Sequence, residues 1–328
     1  MVTLLRRSWC WQRGIVVTKP SAGPSRTFIT DGGIETHVIF NMGVELPHFS
    51  AFPLNDTASG RDVIRRYYRD YLPVARASGR GFLFATDTWR ANPDWADRLG
   101  YDKSLLPQNN RTAVALCAEL ADEFAAAGVS TAIAGIMGPR RDAWRHDAGM
   151  SVLEAYDYHA PQVEAFAGTK AGSVQAYTLT NTPEAIGISR AAERAGLPVV
   201  LSFTVETDGA LPGGKGLGAA IIEVDEATGG YPDYYMINCA HPSHFSGPLK
   251  SAESWVPRIG GLRANASTKS HAELDESPEI DVGDLGEFAE VHAGLLPLVA
   301  NLHVIGGCCG TDYRHIEAIC RRYFRNGD

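Results

Sequence analysis

The chain has little of what would mark a fibrous, secreted or membrane-spanning protein. Six cysteines in 328 residues are too sparse for a disulfide scaffold. The longest apolar stretches, such as 198–205, fall far short of the ~18 residues that cross a bilayer. Lys and Arg number 30 against 38 Asp and Glu, a formal charge of −8, which argues against nucleic acid as the main partner. Acidic side chains are absent from the first 30 residues, which hold Arg6, Arg7, Arg13, Lys19 and Arg26. A basic, acid-free start can be a transit peptide, while the lack of an apolar core with a small-residue cleavage site argues against a secretory signal. The simpler reading of residues 1–26 is a disordered tail or an over-extended start, and 1–25 are expected to be dispensable for folding. What remains is ordinary globular composition, 45% hydrophobic and 21% charged, enough for a sizeable core.

From residue 27 to 328 one pattern repeats, with no linker long enough to divide it. Short apolar segments end in polar or Gly-rich turns, and amphipathic stretches follow. The segments at 27–30, 81–86, 131–135, 173–179, 198–204, 234–238, 258–264 and 302–306 are apolar on both parities, as parallel strands buried on both faces should be. Helical spacing is clearest over 62–77, 108–127, 151–167, 183–195, 287–300 and 311–324. Eight such units predict a (β/α)8 TIM barrel with a parallel eight-stranded core. The rival, a doubly wound open sheet, usually has a G-x-G-x-x-G turn after its first strand. Here that turn is Asp31-Gly32-Gly33-Ile34-Glu35, with acids where a phosphate would sit. The acidic segment 267–284 reads as a solvated loop or as a lid over the catalytic face.

In a barrel the chemistry gathers at the C-terminal ends of the strands. Those ends carry Cys239 and the adjacent pair Cys308-Cys309, so three of the six cysteines converge on one rim. Cys117 and Cys320 fall in helices and Cys10 in the tail, where structural or surface thiols are expected. Three convergent thiolates suit a zinc site with one open position. A redox pair and merely structural thiols are the alternatives. A redox dithiol more usually has C-x-x-C spacing, and a vicinal disulfide is strained. His241, two residues past Cys239, is a candidate fourth ligand, and His244 a more remote one; an ordinary loop histidine is the simpler reading of each.

The runs Asp31-Gly32-Gly33, Asn238-Cys239-Ala240-His241-Pro242 and Gly306-Gly307-Cys308-Cys309-Gly310-Thr311 resemble, in order and separation, the three signatures of the zinc-dependent homocysteine S-methyltransferases. The resemblance covers about 27–324. It implies a (β/α)8 barrel, Cys239, Cys308 and Cys309 as zinc ligands acting in catalysis through the metal, and a substrate pocket lined by Asp31, Gly32 and Gly33, with Asn238 preceding the metal cysteine. Thr86-Asp87-Thr88 and Ile136-Met137-Gly138-Pro139 resemble the family's second and third strand ends. One departure concerns the acceptor. The family commonly has a Glu-Thr pair after the fourth strand that helps hold the amino-acid part of homocysteine, whereas Leu179-Thr180-Asn181-Thr182-Pro183 has no carboxylate. Another acid must then meet the ammonium, with Glu206 the first candidate, Asp31 the second, and Glu35 and Asp87 also available.

Zinc on three thiolates is a weak Lewis acid that keeps a further thiol electron-rich, which suits attack on a methyl group carried by an onium centre better than hydrolysis. The reaction expected is methyl transfer to homocysteine, giving methionine, with Zn2+ as the cofactor. S-methylmethionine or S-adenosylmethionine are the expected donors, with betaine a third. Trp89, Trp95 and Trp144 are candidates for cation–π contact with the onium group. The partners are thus a small-molecule thiol acceptor and a methyl donor, without nucleic acid or membrane, in a cytoplasmic enzyme that could be a homo-oligomer. The alternatives are a thiol or redox enzyme using Cys308 and Cys309, and a methyltransferase of this fold acting on a different thiol.

Overall fold

A computed structural model describes residues 27–143, 149–251, 253–277 and 279–324; the basic N-terminal segment and Trp144 lie outside them. Eight strands form a closed, all-parallel barrel in sequential order, β1 (Phe28–Thr30), β2 (Gly81–Ala85), β3 (Thr131–Met137), β4 (Ser173–Leu179), β5 (Val199–Phe203), β6 (Tyr234–Asn238), β7 (Ile259–Ala264) and β8 (Val304–Gly307). Pairing of Phe28 with both Gly81 and Val304 closes the ring. This is the (β/α)8 barrel that the alternation of strands and helices predicts.

The two parities of the strands serve different cores. Ile29, Phe82, Phe84, Ile133, Leu201 and Ile237 face outward and pack under the helices. Phe28, Leu83, Ala134, Val200, Met236 and Val304 fill the lumen, as expected of a packed barrel. Toward the C-terminal end the buried residues become polar: Thr30, Thr178, Ser202, Asn238 and Arg263. That change from apolar filling to hydrogen-bonding groups sets the floor of the site.

Two expected helices are shorter than their periodicity suggests. The stretch 62–77 divides into Ala58–Arg69 and Leu72–Ser78, because Pro73 cannot donate to the preceding turn and clashes with its carbonyl. The stretch 287–300 ends as an α-helix at Leu295 and tightens to a 3-10 turn over Leu296–Leu298, which contains Pro297. Two further helices, Leu217–Thr228 and Pro242–Leu249, follow β5 and β6. The acidic segment after β7 contains the short helix His271–Asp275, started by a Ser270–Glu273 capping box.

Candidate active site

Cys239 follows directly on β6, and Cys308-Cys309 follows directly on β8. Their three sulfurs all lie within 4.8 Å of one another, and among the described residues this is the one such grouping of metal-ligating side chains. Cys239 Sγ is 3.6 Å from Cys309 Sγ. Tetrahedral ligands with zinc–sulfur bonds of about 2.3 Å place their sulfurs about 3.8 Å apart, so the donor set and its spacing fit one zinc-sized ion with a free corner. All three are free thiols. Hydrogen bonds from Cys239 and Cys309, helped by the Arg263 guanidinium, pull the Cys308 thiol well below its ordinary range, while burial pushes Cys239 up.

The backbone around these sulfurs is held by neighbouring turns. Cys239 has φ +58°, a left-handed conformation that a side chain tolerates only when its surroundings impose it. Here Cys239 N donates to Arg263 O at 3.1 Å, and Asn265 Nδ2 and His271 Nε2 both engage Cys239 O. Asn238 braces three strands. Its Oδ1 accepts from Thr178 N (2.8 Å) and Ser202 Oγ (2.6 Å), its Nδ2 donates to Thr178 Oγ1 (2.9 Å), and Nδ2 also faces Cys308 Sγ at 3.9 Å. Thr178 is left-handed as well, at φ +61°. The Asp31-Gly32-Gly33 turn lies directly on the cysteine turn: a Cβ on Gly32 would meet Thr311 O at 2.4 Å, and one on Gly33 would meet Cys308 O at 2.6 Å. Glycine is required there for close approach of two backbones.

Above the sulfurs is a small cavity of about 60 Å³ walled by Asp31, Gly32, Gly33, Asn238, Tyr177 and Arg263, among others. It meets a second pocket of about 430 Å³ at Thr36, Phe49 and Cys309. Residues of the acidic segment, including His271, Leu274 and Asp281, wall this outer pocket.

The charges are arranged in an order that periodicity could not give. Asp31 is paired with Arg263, Nη1 to Oδ1 at 2.8 Å, and also accepts from Tyr67 OH at 3.0 Å. Glu35 lines the cavity, and its carboxylate accepts no hydrogen bond from another residue among those described. Burial raises its pKa to about 7. Glu206 lies outside the lining of both pockets; its carboxylate faces His271 Nδ1 at 3.4 Å, and the other ring nitrogen holds the Cys239 carbonyl. Thr180 is likewise outside the lining, and β4 presents Tyr177 and Thr178 instead. Asp87, two residues past the end of β2, is buried and accepts from Asn55 Nδ2 at 3.1 Å on both oxygens.

His241 stands apart from the sulfur cluster. It caps Pro242–Leu249, with Nδ1 2.8 Å from Ser243 Oγ. Trp89 and Trp95 already carry cations, and Trp144 lies outside the described residues. Arg90 lies 3.8 Å and Arg98 4.3 Å from the Trp95 ring centroid, and Arg90 also lies 4.9 Å from that of Trp89. Arg263, Tyr177 and Arg90 escaped notice in the sequence. For Arg263 a signal existed: a lone charge on the lumen-facing parity of an otherwise apolar strand.

A closed parallel barrel with three thiols at the C-terminal mouth of its lumen places a metal-compatible cluster where barrel enzymes carry their active sites. Residues 28–323 match the homocysteine S-methyltransferase family, and the chain belongs to that family. It is 27% identical over 287 residues to a methionine synthase of Mycobacterium tuberculosis, covering 81% of this chain and 22% of that one. A methionine synthase of Mycobacterium leprae is 29% identical over 154 residues, 44% of this chain and 12% of that one. The chain thus spans about a fifth or less of the length of these relatives. Among solved structures, the homocysteine methyltransferase MmuM from Escherichia coli in its metallated form superposes with a TM-score of 0.68 at 21% identity, covering 90% of this chain and 96% of that one. That likeness concerns the fold. No helix among the described residues is long and apolar enough to cross a membrane.

Proposed function

We propose that this chain transfers a methyl group from an onium donor to the thiol of homocysteine, giving methionine, at a zinc ion held by Cys239, Cys308 and Cys309. The observation that carries the reading is the convergence of those three sulfurs within 4.8 Å at the floor of a cavity, in a chain of this family. Zinc bound there would keep the acceptor thiol deprotonated at neutral pH while remaining a weak Lewis acid itself. The protein's own contribution is placement. Asn238 orients the Cys308 sulfur and the β4 backbone. The Asp31-Gly32-Gly33 turn closes one side, and Ala85, Ile136 and Tyr177 exclude water from another. Exclusion of water and fixed approach of donor and acceptor supply most of what a methyl transfer needs. Glu35 lines the cavity and accepts no hydrogen bond from another described residue, so it meets the ammonium of homocysteine. Glu206 acts more remotely, by holding His271 against the Cys239 carbonyl.

The donor enters from the outer pocket, on the side where Cys309, Thr36 and Phe49 wall both spaces. S-methylmethionine, S-adenosylmethionine and glycine betaine are the candidates. The test is to incubate the zinc-loaded protein with homocysteine and each donor, and to quantify methionine formed against homocysteine and donor consumed, expecting two methionines per homocysteine from S-methylmethionine and one from either other donor. That stoichiometry from one donor supports the proposal; no methionine from any of them overturns it.

A second reading rests on the Asp31–Arg263 pair, which leaves Asp31 neutralised. In that reading the acceptor is a thiol without an amino group. Methylation of 4-mercaptobutanoate, which is homocysteine lacking its ammonium, at least as efficiently as homocysteine would favour it.

A further inference from the structure

The outer pocket contains a buried cation with unused bonding capacity. Arg90 is only 7% exposed, yet it lines this pocket and its Nε has no hydrogen-bond partner among the described residues. One Nη donates to the His48 carbonyl, and the guanidinium plane rests on Trp95. A buried guanidinium N–H left without an acceptor is costly. Arg90 itself lines a space of about 430 Å³ whose walls include Cys309, and its second Nη makes no hydrogen bond among the described residues. Arg98, on the Trp95 ring at 4.3 Å, adds a second positive charge to the same wall. The acids nearby do not remove the imbalance. Asp281 accepts from Ser267 Oγ at 2.7 Å and pairs with Lys269, and Glu279 is exposed. Asp142 and, from the inner cavity, Glu35 act on Arg90 through space and support its charge.

We propose that Arg90 is the residue that reads an anionic group, a carboxylate, on the methyl donor. The inference rests on the methyl-transfer reading above and deepens it. The donor lies in the outer pocket with its carboxylate at the Arg90 guanidinium and its onium methyl directed toward Cys309. Because the two guanidiniums already occupy the Trp95 ring, the pocket recognises the negative end of a zwitterion, and a tryptophan cage does not hold the positive end. A charged donor–acceptor pair of this kind is worth enough to change affinity about 10- to 100-fold.

The experiment is calorimetric titration of the zinc-loaded protein with S-methylmethionine, glycine betaine and S-adenosylmethionine, and with the carboxylate-free trimethylsulfonium ion. The wild type should bind at least one of the three carboxylate donors about tenfold or more tighter than trimethylsulfonium. Arg90→Gln should abolish that preference and leave trimethylsulfonium binding unchanged, and Arg90→Lys should restore part of it. The wild-type comparison needs no variant, so it can overturn the proposal even if Arg90→Gln fails to fold, and a weakened preference in Arg90→Lys then carries the assignment to Arg90. The proposal is overturned if the wild type binds none of the carboxylate donors, if trimethylsulfonium binds as well as they do, or if folded Arg90→Gln retains the preference. Methyl transfer to homocysteine, measured on the same preparations, separates the two claims. Transfer that is indifferent to Arg90 sinks only this inference, and Arg90-dependent binding without transfer sinks only the functional reading.

Discussion

Arg263 and Asp31 form an ion pair of 2.8 Å in which the side chains are 6% and 2% exposed. Arg263 also donates to Gly32 O (3.0 Å), Gly307 O (3.1 Å) and Thr30 Oγ1 (3.0 Å). It thereby ties the first turn of the barrel to the turn that carries Cys308 and Cys309. Removing one member of a buried pair leaves the other charged and unpaired, at a cost of about 3–5 kcal/mol. Arg263→Met should therefore lower Tm sharply and loosen the metal site. The double variant Asp31→Asn/Arg263→Met should recover much of the stability. A single variant as stable as wild type in a urea melt would show that the pair does not hold the turns.

The cysteines give a set of matched substitutions. Cys239→Ala, Cys308→Ala and Cys309→Ala should each abolish tight zinc binding. Cys117→Ala, buried in the helix Leu106–Ala126, should leave zinc content unchanged at one ion per chain. Elemental analysis after gel filtration reads this directly, and retention of stoichiometric zinc by Cys308→Ala would remove that residue from the ligand set.

Glu35 is assigned to the substrate ammonium. Glu35→Gln should raise KM for homocysteine roughly tenfold or more, as a charge-assisted bond of about 1.5–3 kcal/mol requires. The KM for 4-mercaptobutanoate should hardly move. Equal effects on both thiols would mean that Glu35 shapes the cavity without reading the ammonium.

Asp87 predicts a pH dependence with a definite sign. Burial raises its pKa from 3.8 to about 7, against the lowering effect of Asn55. A raised folded-state pKa means that the folded chain holds this proton more tightly than the unfolded chain. The stabilisation is complete below pH ~4 and is lost as pH rises through about 7. Asn55 Oδ1 has no partner among the described residues, so Asp87→Asn can bond Asn55 in both directions. Asp87→Asn should thus exceed wild type in Tm at pH 8, and the gap should shrink steadily toward pH 5. A gap that is constant with pH would show that Asp87 does not titrate in this range.

Most of the barrel was legible because parallel strands buried on both faces write themselves as short apolar runs. The segments 173–179 and 234–238 coincide with β4 and β6 as Ser173–Leu179 and Tyr234–Asn238. The convergence of Cys239 with Cys308 and Cys309 was legible too, since all three follow strand ends. The charge network was not. Whether Asp31 is free depends on Arg263, which lies 232 positions away along the chain and meets it only across the closed lumen. The placement of Glu206 was equally hidden, because it depends on His271 folding back from the acidic segment against Cys239. At β4 the lining residues are Tyr177 and Thr178, and a left-handed Thr178 leaves no trace in hydrophobic periodicity.

The most direct test of the central claim is X-ray absorption at the zinc edge, recorded before and after addition of homocysteine. The account predicts three sulfur neighbours at about 2.3 Å in the zinc-loaded protein, rising to four when the acceptor thiol occupies the free corner. A sulfur count that stays at three, or zinc coordinated mainly by nitrogen and oxygen, would contradict it.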